Sequence, residues 1–247
     1  MSLPSTWGLV RSLCIYYGQP WKTGRMRRFY RQFIAPGDLC FDVGAHVGNR
    51  VRTFVSLGAQ VVAVEPQPQM VATLQRMYGK RADVTIVPVG VADRPGRLTL
   101  HINTRNPTLT SFSEAWVEGF SAHPDISAAP WDDAVEVEVQ TLDQLIAAYG
   151  EPRFCKVDVE GLEDRVLRGL SRAVQALSFE AFPLQIDRSI ACVEQLQTLG
   201  DYRYRTVHAE TFRWGQDDWC TADQMVARLH ARTIADGSED VYAQLGE

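Results

Sequence analysis

The segment LCFDVGAHVGN, residues 39–49, runs from an apolar, strand-like stretch through two closely spaced glycines into a helix-period run. Glycine has no Cβ and tolerates positive φ, so the backbone of such a turn can pass close to a ligand. Asp42, just before the glycines, narrows the ligand: a carboxylate here repels a pyrophosphate and attracts an α-ammonium group. The spacing agrees. A dinucleotide fold uses G-x-G-x-x-G, whereas this turn reads D-x-G-x-x-x-G with histidine at position 46. Asp42, Gly44, Ala45, His46, Gly48 and Asn49 are therefore candidate cofactor-binding residues.

Working outward, the next apolar run, Val61 to Val64, ends in Glu65 and Pro66. An acid at this point can accept hydrogen bonds from both ribose hydroxyls of a nucleoside, at the spacing from the glycine turn that nucleoside-binding α/β units use. Proline then turns the chain out of the strand. The two signals in register predict adenosyl binding, with Glu65 and Pro66 added to the candidate set.

The rest of the chain repeats the alternation. Strands are predicted at 39–43, 60–65, 84–89, 154–159, 177–182, 202–208 and 241–245, with helix-period segments at 48–57, 68–78, 162–174 and 188–199. This is the pattern of an α/β fold with a doubly wound, mostly parallel sheet and helices on both faces. Two period-2 runs, 97–102 and 135–140, flank a segment, 103–134, that is long for a connection in a compact domain and reads as a lid or substrate loop. Residues 1–36 read as a helical, basic and aromatic arm, and 37–247 as the catalytic domain.

Composition bounds the function. The 247 residues carry a net charge of −5, and 45% are hydrophobic, which suits one soluble α/β domain. No run is long and apolar enough to span a bilayer, and the N-terminus lacks a signal-peptide pattern, so a cytoplasmic location without stable membrane insertion is expected. Up to Gly37 there are six basic residues and no acidic one, leaving an acidic body that argues against nucleic acid as the main partner. The arm suits an anionic substrate, a membrane surface or a second subunit, and homo-oligomerisation stays open. Helices of this kind commonly pack their aromatic face on the body and leave arginines in water. Five scattered cysteines and five unpaired histidines give neither a disulfide framework nor a metal motif, so no metal site is assigned.

The runs DVGAHVG (42–48), VVAVEPQPQM (61–70), VQTLDQL (139–145), FCKVDVEGLEDRVLRGL (154–170) and LSFEAF (177–182), in this order, resemble the FkbM-type methyltransferases. K-x-D-x-E-G-x-E, from Lys156 to Glu163, is the most specific part. The resemblance implies a class I methyltransferase (Rossmann-like) fold, S-adenosylmethionine as methyl donor, and an acceptor hydroxyl on a sugar, glycan or secondary metabolite. It also places Ser111 near the cofactor carboxylate. The last 60 or so residues match no pattern.

Read from the residues alone, alternation along a strand would put Lys156, Asp158 and Glu160 on one side of the sheet's C-terminal edge, where open α/β sheets bind ligands. These three are the catalytic candidates: a carboxylate orients the acceptor hydroxyl and takes its proton, and lysine pairs with the acids or steadies an oxyanion. The competing reading is a structural Lys156–Glu160 ion pair, with Glu163 complementing a helix dipole. Asp93, after the third strand, is a candidate for the adenine amino group, and Glu180 for the acceptor. An NAD-linked oxidoreductase is disfavoured by Asp42 and the missing glycine; a non-catalytic module that binds S-adenosylmethionine is the other alternative.

Overall fold

The apolar runs become strands because their Val, Ile, Phe and Cys side chains are covered on both faces. The computed structural model describes residues 3–18, 20–114, 116–118, 131–215 and 218–246. Its main sheet contains β1 (Leu39–Val43), β2 (Gln60–Val64), β3 (Val84–Val87), β7 (Phe154–Val157), β8 (Ala176–Ala181), β9 (Tyr202–His208) and β10 (Glu239–Leu245). Their order is β3-β2-β1-β7-β8-β10-β9. The first five pair in parallel, and β10 lies antiparallel between β8 and β9. The strand order reverses at β1, which has β2 on one side and β7 on the other, so the crevice for a ligand opens at the C-terminal ends of these strands.

Alternate residues of β1 feed two cores. Phe41 and Val43 pack with Val157, Phe179 and Leu196 on one face, while Cys40 packs with Phe54, Phe154 and Tyr242 on the other. A smaller sheet, β4 (Gly90–Val91), β6 (Asp133–Gln140) and β5 (Gly96–Ile102) in that spatial order, sits beyond β3 in sequence. The helices that precede β3 in the chain are α1 (Leu3–Tyr17), α2 (Pro20–Tyr30), α3 (Asn49–Ser56) and α4 (Pro68–Tyr78). α2 buries Met26, Phe29 and Tyr30 against the second core and leaves Arg25, Arg27 and Arg28 exposed.

Several sequence expectations need correction. The helix expected over 162–174 spans only Glu163–Arg168. It stops at Gly169, where a Cβ would lie 2.5 Å from the Ala92 carbonyl; Leu170 and Val174 are buried without being helical. The strand expected over 84–89 ends at Val87, and Gly90–Val91 turns away into the smaller sheet. The strand expected over 154–159 ends at Val157, so Asp158 and Glu160 stand on a turn and not in the alternation of a strand. Among the described residues, the helices Leu142–Tyr149 and Ala222–His230 escaped the reading. Both open with a Thr-x-x-Gln capping box, at Thr141 and Thr221. Of the 103–134 segment, residues 115 and 119–130 lie outside the described residues; the described part holds a 3-10 turn at Pro107–Leu109 and a bridge from Ser111 to His101.

Candidate active site

The turn after β1 is built from left-handed residues. Gly44, His46 and Gly48 have φ of 86°, 48° and 81°. Histidine is one of the few non-glycine residues that enter this region readily, which lets His46 stand where a dinucleotide loop has glycine. Gly44 has a second reason: a Cβ there would sit 1.7 Å from the Asp158 carbonyl oxygen. The turn after β1 and the turn after β7 are thereby pressed together, with the Asp158 amide donating to the Val43 carbonyl at 2.9 Å.

A cleft of about 790 Å³ opens over this junction. Of the candidates, Asp42, Gly44, His46, Asn49, Glu65 and Pro66 line it. Ala45 and Gly48 do not: Ala45 belongs to the core, and Gly48 backs onto Leu74 and Tyr78, whose hydroxyl donates to its carbonyl at 3.1 Å. Asp93 is drawn away by Arg165, 2.7 Å from its carboxylate. Ser111 stands behind the lining, donating from Oγ to the Glu160 carbonyl at 2.6 Å. The sequence reading missed Tyr16, Arg50, Gln67 and the apolar wall of Val89, Val91, Leu100 and Phe112. Gly90 belongs to that wall because a side chain there would collide with the Phe112 ring.

Asp42 is 2% exposed, and its Oδ2 has no hydrogen-bond partner among the described residues. Burial pushes its carboxyl up to about 7. Glu65 accepts the His46 and Gln67 amides at 2.7 and 2.8 Å, yet burial outweighs these bonds and raises it to about 7. The His46 imidazole is neutral, pushed down to about 4 by burial. This set fits an adenosyl amino acid: an orphaned carboxylate for the ammonium, Glu65 for the ribose, and an apolar slot for the purine.

A pH dependence follows. Asp42 and Glu65 hold protons in the folded state to higher pH than when unfolded, so stability of the ligand-free protein falls as pH rises from about 4 to about 7. An ammonium ligand prefers ionised Asp42, so affinity should move the opposite way. Calorimetry should find S-adenosylhomocysteine at least about tenfold tighter at pH ~8 than at pH ~5.5, with Asp42→Asn flattening the change. A flat wild-type profile would remove the ammonium from Asp42.

A second cavity, about 480 Å³, adjoins the first and shares Tyr16, Arg50, Asp158 and Glu160 with it. Glu180, Glu210 and Asp240 complete its acidic wall. Carboxylate oxygens of Asp158, Glu160 and Glu180 lie within 4.8 Å of one another. Burial, then the neighbouring acids, raise Glu160 well above the ordinary range and Glu180 to about 8. Glu160 has φ of 52°, a left-handed conformation unusual for its type. Its turn is clamped from three sides: Glu163 accepts the Val159 and Gly161 amides, Ser111 holds the Glu160 carbonyl, and Arg188 donates to the Gly161 carbonyl. Glu163 thus fixes the turn and does not line either cavity.

Lys156 corrects the sequence reading. It lines neither cavity. Its ammonium is 2.9 Å from Asp240 and 3.4 Å from Asp158, so it positions two acids of the cavity wall and contacts no acceptor space. The Lys156–Glu160 pair considered from sequence is replaced by this one. Arg50 is held similarly, 2.6 Å from Glu210.

A family model described as "Methyltransferase FkbM domain" matches residues 42–205. Hexuronic acid methyltransferase AglP of Haloferax volcanii is 26% identical over 148 residues, covering 58% of this chain. The chain spans about half the length of that relative, 54%. Among solved structures, precorrin-6y C5,15-methyltransferase of Geobacter metallireducens is 12% identical with a TM-score of 0.44, covering 90% of this chain and 86% of its own. Fibrillarin of Aeropyrum pernix, solved with natively bound S-adenosyl-L-methionine, is 10% identical with a TM-score of 0.44, covering 85% and 68%.

Proposed function

Because the chain belongs to the FkbM methyltransferase family, whose methyl donor is S-adenosylmethionine, we propose that it methylates a hydroxyl of a sugar or glycan in the acidic cavity beside the cofactor cleft. The observation that carries this is the pair of adjoining cavities that share Asp158 and Glu160. Carboxylates are hydrogen-bond acceptors, so a wall of them suits a polyhydroxylated, uncharged acceptor face. The similarity to a hexuronic acid methyltransferase supports a sugar. The methyl donor belongs in the cytoplasm, where the five free thiols of this chain are also at home.

When bound, S-adenosylmethionine supplies an electrophilic methyl group for an in-line displacement. Asp42 would hold its ammonium and Glu65 its ribose. The chain's own task is then alignment and proton removal. Asp158, fixed by Lys156, orients the acceptor hydroxyl. Glu160 takes its proton, because a carboxyl group whose proton affinity is raised by burial and neighbouring acids is a stronger base than an ordinary one.

Two measurements test the reading. S-adenosylhomocysteine should raise the melting temperature and NAD should not; ligand at about 100 times its dissociation constant adds about 2.7 kcal/mol. Glu65→Ala should weaken that binding by about 1–3 kcal/mol. A screen with labelled donor over neutral sugars, uronic acids, glycans and phenols then identifies the acceptor. Binding without transfer to any hydroxylated acceptor would support the non-catalytic alternative, and no thermal shift at millimolar ligand would sink the cofactor assignment.

A further inference from the structure

The first helix turns an apolar face to solvent. Trp7, Val10, Arg11, Cys14 and Ile15 recur on one side of α1 at helical spacing, and all are exposed, Trp7 at 68% and Val10 at 45%. The opposite side carries Gly8, Ser12 and Tyr16. A Cβ at Gly8 would lie 2.2 Å from the Thr104 carbonyl, Ser12 is fully buried, and Tyr16 lines both cavities. The small residues press this side onto the body, so Trp7 cannot roll inward. On α2, Trp21, Arg25 and Arg28 share an outward face, with Trp21 also 68% exposed. The aromatic face expected to pack on the body is present in Phe29 and Tyr30, while both tryptophans stand outside it.

Charge separates the candidate occupants of this face. Residues 1–37 hold six cations and no acid. Among the described residues, Arg25 reaches only a backbone carbonyl, that of Thr211, and Arg11 an asparagine, Asn106. A symmetric pairing of two such faces would bring like charges together. Exposed indoles beside arginines are instead the chemistry of the bilayer interface, where the ring sits at headgroup level and the cation meets lipid phosphate. No helix among the described residues is long and apolar enough to cross a membrane. The acidic body would be repelled by the same surface, leaving the arm to face it.

We propose that α1 and α2 dock this protein on an anionic phospholipid surface, using Trp7, Val10, Ile15 and Trp21 as the apolar wedge and Arg25, Arg27 and Arg28 as the charge contact. Docking by the outer side of α1 leaves Tyr16, on its inner side, within the cavities. The proposal does not depend on the acceptor assigned above.

The test uses the full chain with vesicles of phosphatidylcholine alone or with about 30% phosphatidylglycerol, read by co-sedimentation and tryptophan emission. Binding is expected only to the anionic vesicles, with a blue shift, and should weaken strongly between about 0.05 and 0.5 M salt. Trp7→Ser with Trp21→Ser should lower the partition coefficient about tenfold or more. Arg25→Glu with Arg28→Glu should remove the preference for anionic lipid. All four side chains are exposed, so circular dichroism and melting should be unchanged. Absence of binding to anionic vesicles, or equal binding by the tryptophan variant, would overturn the proposal. So would a concentration-dependent dimer that Trp7→Ser dissolves, which would assign the face to a second copy. None of these readouts involves methyl transfer.

Discussion

Glu160→Gln is expected to lower the turnover number by about 10²–10⁴ while changing S-adenosylhomocysteine affinity by less than about twofold. The amide keeps the shape and the strained φ of 52° but cannot accept the hydroxyl proton. Asp158→Asn should cost less, about tenfold, because an amide oxygen still accepts the hydroxyl's hydrogen bond. Single-turnover rates and calorimetry on the same variants separate the two effects. A larger loss for Asp158→Asn would exchange the roles, and unchanged turnover in both would take the acidic cavity out of the chemistry.

The pH profile gives a second readout of the same pair. Glu160 and Glu180 sit in one acidic cluster and both hold their protons tightly, Glu180 to about 8. The base acts only when ionised, so wild-type turnover should climb as pH rises beyond the ordinary carboxylate range, and Glu160→Gln should lose that climb. The stability sign is opposite. A carboxyl whose folded pKa lies above its unfolded value stabilises most below the unfolded value, and that contribution is lost as pH rises through the folded one. The ligand-free protein should thus be less stable where it is more active, as expected of a site held by clamps around a strained residue.

The proposed cofactor half of this site draws on residues that were largely legible in sequence because their placement is local. Asp42, the glycines and Glu65 lie at strand ends, where residue type and spacing carry the information, and β1 and α4 occur at the expected residues. Ala45 and Gly48 share the motif but serve packing, a distinction that needs the neighbours Leu74 and Tyr78. The acceptor half was not legible. Tyr16 comes from α1, Arg50 from α3, Glu210 from the segment after β9, and Asp240 from β10, so only the folded sheet brings them together. Asp93 illustrates the reverse case: its position after the third strand suited a purine, but a tertiary neighbour, Arg165, claimed it. The two missed helices had a readable signal. Thr141 with Gln144 and Thr221 with Gln224 are capping boxes, and the stretches they open were assigned no element.

Lys156→Met is expected to destabilise the protein by about 3–5 kcal/mol, the cost of breaking a buried ion pair from one side. Lys156 sits on β7 between Asp42 of β1 and Ser178 of β8, at the centre of the sheet, and is 1% exposed. Burial alone would favour the neutral amine, but Asp158 and Asp240 outweigh it and raise its proton affinity. A raised lysine pKa contributes stability that is fully present below its unfolded value, so the pair operates across neutral pH. Methionine fills a similar volume without charge, leaving Asp240, itself nearly buried, and Asp158 facing each other uncompensated. Urea titration should show the midpoint falling at unchanged slope. Adding Asp240→Asn to Lys156→Met should recover more than half of the loss, since the two side chains share one interaction and their effects do not add. A loss below about 1 kcal/mol, or strict additivity of the two substitutions, would mean that the acidic wall stands without its lysine and that Asp158 is held by the turn around Glu163 alone.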